Sequence, residues 1–359
     1  MSGASAPAQG GGVDPLSAAG GARLRLRREC GHRGGMSVAD TGKLLSSRGE
    51  LRELGITDRG IEAALRSNDL TRVDYGRYVA TEVWNAGFAD HRHLIRIRAA
   101  EERARGGEVV YSHVSACVIH NLPLFRVTPA RVHVSGPRAD GCLARGPLAR
   151  HQIAVPDEDI AEVSGIRCTS LERTVADTIR MLPREAAVAV ADAGMRAAAW
   201  IDRRREYDPD AAENFRLEVA RRLPAGGRGV RQARGLIAFA DGRAASAGES
   251  VSRLYLHDLG FAPPRLQVPV PAPSGGWYFV DFGLDDVRAW GEFDGTSKYT
   301  DPRMRGAGVD MEQALLAEKD REDWIRGTTG RRVIRWESPH IANAAALRSR
   351  LVSFRVPMP

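Results

Sequence analysis

Apolar residues between positions 49 and 66 recur at three- and four-residue spacing in two groups, which predicts two short helices separated by Gly55. Thr57 or Asp58 is placed to cap the second helix. Residues 70–79, with the sequence LTRVDYGRYV, alternate apolar and polar positions around a glycine, which predicts a strand, a turn and a strand. Two helices with a glycine-containing turn and a following hairpin predict a winged helix-turn-helix over residues 36–84.

A winged helix-turn-helix places its second helix in the major groove of DNA. Arg59 and Arg66 lie on the polar face of that predicted helix, and Arg72 and Arg77 lie on the hairpin that forms the wing. Because these side chains carry the positive charge of the predicted binding surface, we expect all four to contact DNA. The alternative is a small helical domain that binds protein and whose arginines are only solvated.

Residues 85–200 predict a mixed α/β domain that begins with a basic amphipathic helix and includes strands near 131–134 and 152–155. Within the sequence TSLE, Thr169 and Glu172 predict a capping box that opens a further helix. Residues 201–242 are polar and interrupted by glycine and proline, which predicts a helical linker. The last domain is assigned to residues 243–359.

His113, Ser115 and Asp177 contain the residue types of a hydrolase triad. We reject this interpretation because the sequence has no nucleophile elbow. A helix-capping Ser112 beside a packed histidine explains the pattern better.

The most informative stretch is WYFVDFGLDDVRAWGEFDGTSKY, residues 277–299. Aromatic and β-branched residues predict strands at 277–282 and 287–293, joined by a turn at 283–286. Asp281 lies in the first strand. Glu292 and Asp294 lie on one side of the second strand, because side chains alternate along a strand. If the strands pair, Asp281 faces them.

Clustered carboxylates are stabilised by a cation, and one or two carboxylates with water suit Mg²⁺ or Mn²⁺. Lys298 follows the acids and brings a positive charge toward a phosphate. Glu249, in the first turn of a predicted helix, is a candidate third metal ligand, and Gln267 is a candidate for fixing a water or substrate oxygen. This arrangement suits metal-dependent cleavage of a phosphodiester. The alternative is a solvated hairpin with an ordinary Asp-Gly turn.

Between residues 245 and 340, a series of short motifs resembles the PD-(D/E)XK nuclease fold, in the branch of very-short-patch-repair endonucleases. The motifs are, in order, ES..R from Glu249, LGF from Leu259, Gln267, VDF from Val280, EFDG from Glu292, EKDRED from Glu318 and RVIRW from Arg332. The resemblance implies that Asp281 and Glu292 bind the metal and that Glu249 supports the site.

Two departures from that family affect the candidate site. Asp294 occupies the position of the general motif's lysine, and Lys298 stands where this branch commonly has histidine. Either Lys298 replaces the histidine or the family's lysine has migrated. A degenerate domain that does not cut would show the same pattern.

The first half of the chain carries a second resemblance. The segments LRELGITDRGI, LTRVDYGRYV, YSHVSACVIHNLP and TSLERTVAD, between residues 51 and 177, are similar in order to the AbiEi antitoxins. The resemblance implies an N-terminal winged helix that represses its own operon and a second α/β domain that neutralises a toxin. DNA and a cognate toxin are therefore the expected partners.

Composition indicates the kind of partner and the cellular compartment to expect. The 359 residues have a net charge of +7, which favours a polyanionic partner. The four cysteines form no CxxC pair, so the cysteines indicate neither a zinc site nor a disulfide framework. Residues 1–35 are rich in glycine and alanine and then basic, which predicts a disordered basic tail, and Met36 is a candidate start. Without an apolar run of membrane length or a secretory leader, we expect a cytoplasmic protein.

The fold class predicted is therefore multidomain α/β, with a winged helix-turn-helix, a mixed α/β middle domain and a nuclease-like α/β domain. The leading functional hypothesis is a DNA-binding protein with a metal-dependent endonuclease domain. The alternative is a non-catalytic antitoxin and autorepressor whose last domain only binds DNA or a partner. A third interpretation, cleavage at a mismatch, depends on fold analogy alone.

Overall fold

The computed structural model describes residues 41–104, 109–136, 148–295 and 311–359, apart from the side chains of residues 311, 312, 314 and 315. The fold is mixed α/β with several sheets. The chain forms two compact units, Met1–Arg105 and Gly106–Pro359. None of the helices described combines the length and apolar character that crossing a membrane requires. The predicted tail and Lys298 lie outside the described residues.

The first unit contains two short helices followed by a hairpin, at the predicted positions. Its elements are β1 Ser46–Ser47, α1 Arg48–Glu53, α2 Asp58–Arg66, β2 Leu70–Asp74, β3 Arg77–Ala80, α3 Thr81–Ala86 and α4 Ala89–Ala104. The sheet order is β1-β3-β2, with antiparallel pairs. A hydrophobic cluster joins the two helices to the hairpin through Leu51, Ile61, Leu70 and Tyr78.

Local hydrogen bonds explain where these helices begin. Ser47 and Glu50 form a reciprocal capping box at α1, and Thr57 Oγ1 accepts a hydrogen bond from the Gly60 N–H at α2. These bonds satisfy N–H groups that a helix leaves unpaired in its first turn. Of the two predicted capping residues, Thr57 and Asp58, Thr57 is the cap and Asp58 is the first residue of the helix.

The second unit begins with a five-stranded sheet in the order β6-β5-β4-β8-β7. Its elements are β4 Val110–Tyr111, α5 His113–Ile119, β5 Val132–Ser135, β6 Leu148–His151, β7 Ile160–Val163 and β8 Ile166–Thr169. The strand pairs β5–β6 and β4–β8 are parallel, and β4–β5 and β7–β8 are antiparallel. Strand β6 therefore lies at one edge.

Helices α6 Leu171–Ile179, α7 Arg184–Ala199, α8 Pro209–Arg222 and α9 Val230–Phe239 follow, with a short hairpin of β9 Trp200–Ile201 and β10 Glu206–Tyr207. The predicted Thr169–Glu172 capping box is wrong. Ser170 caps α6 by accepting from the Arg173 N–H, while Thr169 Oγ1 is 2.6 Å from Thr174 Oγ1. The cap of this helix lies one residue later than predicted, because Thr169 still belongs to β8 and is buried there.

Residues 201–242 are helical as predicted, but their helices are not an exposed linker. Phe215 and Val219 of α8 and Leu236 and Ile237 of α9 are buried in the same hydrophobic cluster as α7. The charged residues of this segment lie in the turn between β9 and β10 as well as on its helices, so composition does not reveal the buried faces.

The last part of the chain contains α10 Ala247–Asp258, β11 Arg265–Pro271, β12 Trp277–Leu284, β13 Ala289–Asp294, α11 Met311–Thr329, β14 Arg332–Glu337 and α12 Ala344–Ser353. The sheet order is β11-β12-β13-β14, antiparallel except for the parallel pair β13–β14. The turn between β12 and β13 begins two residues later than predicted, because Gly283 and Leu284 still pair with Trp290 and Ala289.

The two faces of this sheet have different neighbours. Phe282, Phe293 and Trp336 belong to the main core, together with α10. Val268, Val280 and Trp290 instead form a smaller cluster with Ile325 of α11. The sheet is therefore covered by a helix on each side, and the predicted acidic residues lie in its middle strands.

Candidate functional site

Strands β11 and β12 reverse their faces at the two candidate residues Gln267 and Asp281. In β12, Val280 packs on the α11 side, whereas Phe282 packs on the α10 side. In β11, Leu266 and Val268 show the same reversal, and Gln267 between them has φ +49°. A left-handed backbone is uncommon for a residue other than glycine, so this irregularity redirects a particular side chain.

Gln267 links two of the predicted acids. Its Nε2 donates to Glu249 Oε2 at 3.0 Å and to Asp281 Oδ1 at 3.3 Å. The other Asp281 oxygen accepts the backbone N–H of Phe293 on β13, at 2.9 Å. The structure therefore brings Glu249, Gln267 and Asp281 together, from α10, β11 and β12.

Glu249 is held by its own helix terminus as well. Its carboxylate accepts from the Ala245 N–H and from Ser246 Oγ, both at 2.9 Å. Burial raises the pKa of Glu249, against these hydrogen bonds and the one from Gln267, which lower it. Because its oxygens are occupied by protein donors, Glu249 positions Gln267 rather than presenting an open ligand.

Glu292 and Asp294 face the α11 side, where two arginines meet them. Arg321 of α11 contacts Glu292 Oε1 at 2.7 Å, and Arg335 of β14 contacts Glu292 Oε2 at 3.0 Å and Asp294 at 3.4 Å. Burial opposes the charge of Arg335, but ion pairs with Glu318, Glu292 and Asp294 outweigh it, so the pKa of this guanidinium lies above its ordinary value.

Ion pairs with arginines connect the carboxylates of this group. The acids are Glu292, Asp294, Glu318 and Glu322, and the bases are Arg321, Arg335 and Arg326, the last at 3.7 Å from Glu322. Each of these four carboxylates therefore has at least one arginine partner.

The acids do not converge to the extent that the sequence suggested. Within the described part of the chain, the group of three side chains with mutually close ligand atoms is formed by histidines, not by Glu249, Asp281 and Glu292. The reason is that Glu249 binds its own helix terminus and Glu292 binds the two arginines. Asp281 remains beside Glu292 through the adjacent residue Phe293.

A cavity of about 490 Å³ adjoins the residues that hold Glu249. Ala245 and Ser246 line it together with His120, Arg196 and Trp200. The guanidinium of Arg196 lies 4.2 Å from the centre of the Trp200 ring. Periodicity could not identify this cavity, because its walls come from segments more than a hundred residues apart.

The four candidate DNA-contacting arginines lie in different environments. Arg59, Arg66 and Arg72 are exposed. Arg77 is half-buried and forms an ion pair with Glu102 of α4 at 2.6 Å. The fully exposed Tyr75 lies at the hairpin tip between β2 and β3. The exposed arginines are therefore better placed than Arg77 to contact a partner.

A second constellation, which the sequence analysis did not identify, consists of His113, His133 and His151. Their candidate ligand nitrogens all lie within 4.8 Å of one another. Burial lowers the pKa of His113 to about 3 and that of His133 to about 4, so both rings are neutral at pH 7. Ser115, a member of the rejected triad, has a structural contact, because its Oγ accepts the backbone N–H of His133 at 2.8 Å. Spacings of about twenty residues between the histidines gave no local motif.

No family model matches the chain. The chain is 28% identical over 247 residues to two proteins of Mycobacterium tuberculosis, the uncharacterized protein Rv2248 of strain H37Rv and the uncharacterized protein MT2308 of strain CDC 1551. Each alignment covers 69% of this chain and 82% of the relative. Neither relative's name states an activity, so these similarities assign no function.

Proposed function

We propose that this protein binds DNA through its first unit and hydrolyses phosphodiester bonds at the β12–β13 hairpin with the help of a divalent ion. The observation that carries the proposal is the contact of Asp281 with Gln267 on one side and with the Phe293 N–H on the other. It holds one carboxylate at a reversal of the strand, next to Glu292. Strand irregularities of this kind re-aim side chains beside active sites.

Carboxylate oxygens are the donors that a hard cation prefers. Asp281 and Glu292 would hold Mg²⁺ or Mn²⁺ once Asp281 releases Gln267 or the Phe293 N–H and Glu292 releases an arginine. The ion would supply polarisation of a phosphoryl oxygen and a bound water of lowered pKa. Glu249 orients Gln267, and Gln267 orients Asp281. Asp294 is proposed to orient water, and Lys298 is proposed to stabilise charge on the phosphate.

The two arginines around Glu292 supply positive charge, which the general sequence motif assigns to a lysine. Arg321 and Arg335 both contact the carboxylate of Glu292. Their planar guanidiniums suit bidentate contact with phosphate as well as with carboxylate. We propose that they exchange Glu292 for a DNA phosphate when the substrate binds.

The same two ion pairs favour a second candidate function. If Glu292 stays neutralised by Arg321 and Arg335, the hairpin binds no cation. The protein would then be a non-catalytic regulator of the AbiEi type, with DNA and a toxin protein as partners. The two candidates differ in divalent-ion dependence.

Nicking of supercoiled plasmid by the full chain in Mg²⁺ or Mn²⁺ tests the first candidate. We expect Asp281→Asn and Glu292→Gln each to lower the rate by at least ~100-fold, since loss of a metal ligand costs more than the roughly 10–100-fold cost of losing its outer partners. Asp285→Asn is the matched control, because this acid lies at the other end of the same hairpin.

Two outcomes are informative. Cutting that survives both site substitutions removes the enzymatic proposal. DNA binding without any cutting supports the regulator. Calorimetry of the full chain with Mn²⁺ then shows whether Asp281 and Glu292 bind an ion at all.

DNA binding by the first unit is tested by the salt dependence of duplex affinity, measured with the full chain by fluorescence anisotropy. Arg59→Ala and Arg66→Ala should each reduce the slope of log affinity against log salt by about 1, because each removes roughly one phosphate contact. Arg77→Ala should change the slope less, because its guanidinium already pairs with Glu102. Equal slopes in all variants would exclude these arginines as DNA contacts.

A further inference from the structure

We propose that His113, His133 and His151 form a binding site for a borderline divalent metal ion of the Zn²⁺ class, separate from the carboxylate hairpin. The three side chains come from different elements of the five-stranded sheet and its helix, namely α5, β5 and β6. Their candidate ligand nitrogens lie within 4.8 Å of one another. The inference does not depend on the nuclease proposal, since no residue is shared.

The rings are already gathered around one point. His133 Nδ1 lies 2.9 Å from His151 Nε2, and the His113 and His151 rings stack with their centroids 3.6 Å apart. A nitrogen–nitrogen contact of 2.9 Å requires that one of the two nitrogens accepts, so at least one ring offers a lone pair. When an ion replaces this hydrogen bond, the donating ring moves its proton to its other nitrogen and stays neutral.

Hydrogen bonds behind the His113 ring resemble the outer partners of a metal-bound histidine. His113 Nδ1 lies 3.0 Å from Ser112 Oγ, and Ser135 Oγ donates to Ser112 Oγ at 2.8 Å. A partner on one ring nitrogen fixes the tautomer and leaves the opposite nitrogen for the ion. Both serines are buried, so the supporting bonds are shielded from water.

The backbone conformation of His113 also sets the direction of one candidate ligand. His113 has φ +52°, the left-handed region, at the first residue of α5. Such a conformation costs of order 1 kcal/mol or more for a residue with a Cβ, and it persists where the surroundings demand it. The residue in this conformation is the one whose ring stacks on His151.

The class of metal ion follows from the three donor atoms. Three imidazole nitrogens with no thiolate suit Zn²⁺, Co²⁺, Ni²⁺ or Cu²⁺, whereas Mg²⁺ and Mn²⁺ prefer oxygen. Arg173 and Arg180 lie near His113 and Arg131 lies near His133. Arg173 forms ion pairs with Asp159 and Asp177, and the negative charge of Asp177 also acts on His151. Three protein ligands leave a fourth position for water or a substrate.

Such an ion would stabilise the edge strand of this sheet. Among the described strands, β6 lies at the edge of this sheet and pairs with β5, with His151 opposite Ser135. Coordination would join β6, β5 and α5 through one centre. We therefore expect metal binding to stabilise this unit.

The test uses the untagged full chain, stripped with a chelator and titrated with Co²⁺ and then Zn²⁺. We expect one Zn²⁺ per chain by elemental analysis, a visible Co²⁺ absorption that Zn²⁺ abolishes, and a higher Tm with Zn²⁺. His133→Gln and His151→Gln should each weaken Zn²⁺ binding by at least ~100-fold. These half-buried positions, rather than buried His113, are chosen so that the variants fold.

Two control variants separate this site from other ligands. His257→Ala removes an exposed histidine outside the cluster, and Asp281→Asn changes the carboxylate hairpin. Both should keep one Zn²⁺ per chain and the rise in Tm. The proposal is overturned if the wild-type chain binds no stoichiometric Zn²⁺, or if the two glutamine variants bind it as tightly as the wild type.

Discussion

At the scale of single residues, Asp285 shows how one carboxylate connects strands that are distant in sequence. It lies in the turn after β12 and pairs with Arg265 of β11, at 2.6 Å, and with Arg331 just before β14. Hydrogen bonds from Arg265 and then Arg331 lower the pKa of Asp285 to about 2. The carboxylate is half exposed, so water screens these ion pairs.

The replacement Asp285→Asn should lower the free energy of unfolding by up to ~1 kcal/mol at pH 7. Since the folded-state pKa lies below the ordinary value, the stabilisation is complete above about pH 4 and is lost as the pH falls toward 2. Thermal unfolding of both proteins across this range measures it. A difference that does not change with pH would contradict the assignment.

At the scale of elements, the contact between α10 and β13 determines where Glu249 lies. Gly248 precedes Glu249 in α10, and a Cβ at this position would overlap the Phe293 ring of β13. The backbone N–H of Phe293 in turn binds Asp281. One close approach between a helix and a strand therefore sets the positions of two candidate site residues.

We expect Gly248→Ala to destabilise the fold by about 1–3 kcal/mol, because the ring or the helix must move. Gly327→Ala is the matched control. It lies in α11 with open space at its Cβ, so alanine should be neutral or stabilise by up to ~1 kcal/mol. Urea unfolding of the two variants compares them. Equal free energies of unfolding would show that the Phe293 ring moves aside without loss of stability.

At the scale of the whole molecule, the larger apolar cluster of the second unit joins its middle and last parts. Arg253 of α10 donates to both oxygens of Asp192 in α7, at 2.8 and 3.0 Å, and both side chains are buried. The apolar cluster that surrounds this pair extends from α5 to α12. The middle of the chain therefore completes the core on which the carboxylate hairpin rests.

A fragment of residues 243–359 should consequently fail to fold alone, because it exposes the α10 face and leaves Arg253 without Asp192. Loss of one partner of a buried ion pair costs about 3–5 kcal/mol. A fragment of residues 106–359 should unfold in one cooperative transition. Circular dichroism melting compares the two, and a sharp transition in the shorter fragment would contradict this view.

The sequence by itself determined the features that local interactions set. The helices near 48–66, the hairpin at 70–80 and the strands that carry Asp281 and Glu292 follow from side-chain periodicity and capping residues, which depend on neighbours a few positions away. Periodicity also identified α8 and α9 as helices. It could not show that they are buried, because burial depends on partners elsewhere in the chain.

Only the tertiary structure decided which charges and rings meet. Arg321 and Arg335 reach Glu292 because β13 and β14 are parallel neighbours beneath α11, and the three histidines meet because β5 and β6 pair beside α5. The reversals at Gln267 and Asp281 arise from strand pairing, which alternation within one strand does not reveal. Long-range contacts therefore fixed both candidate sites, while the sequence supplied their residues.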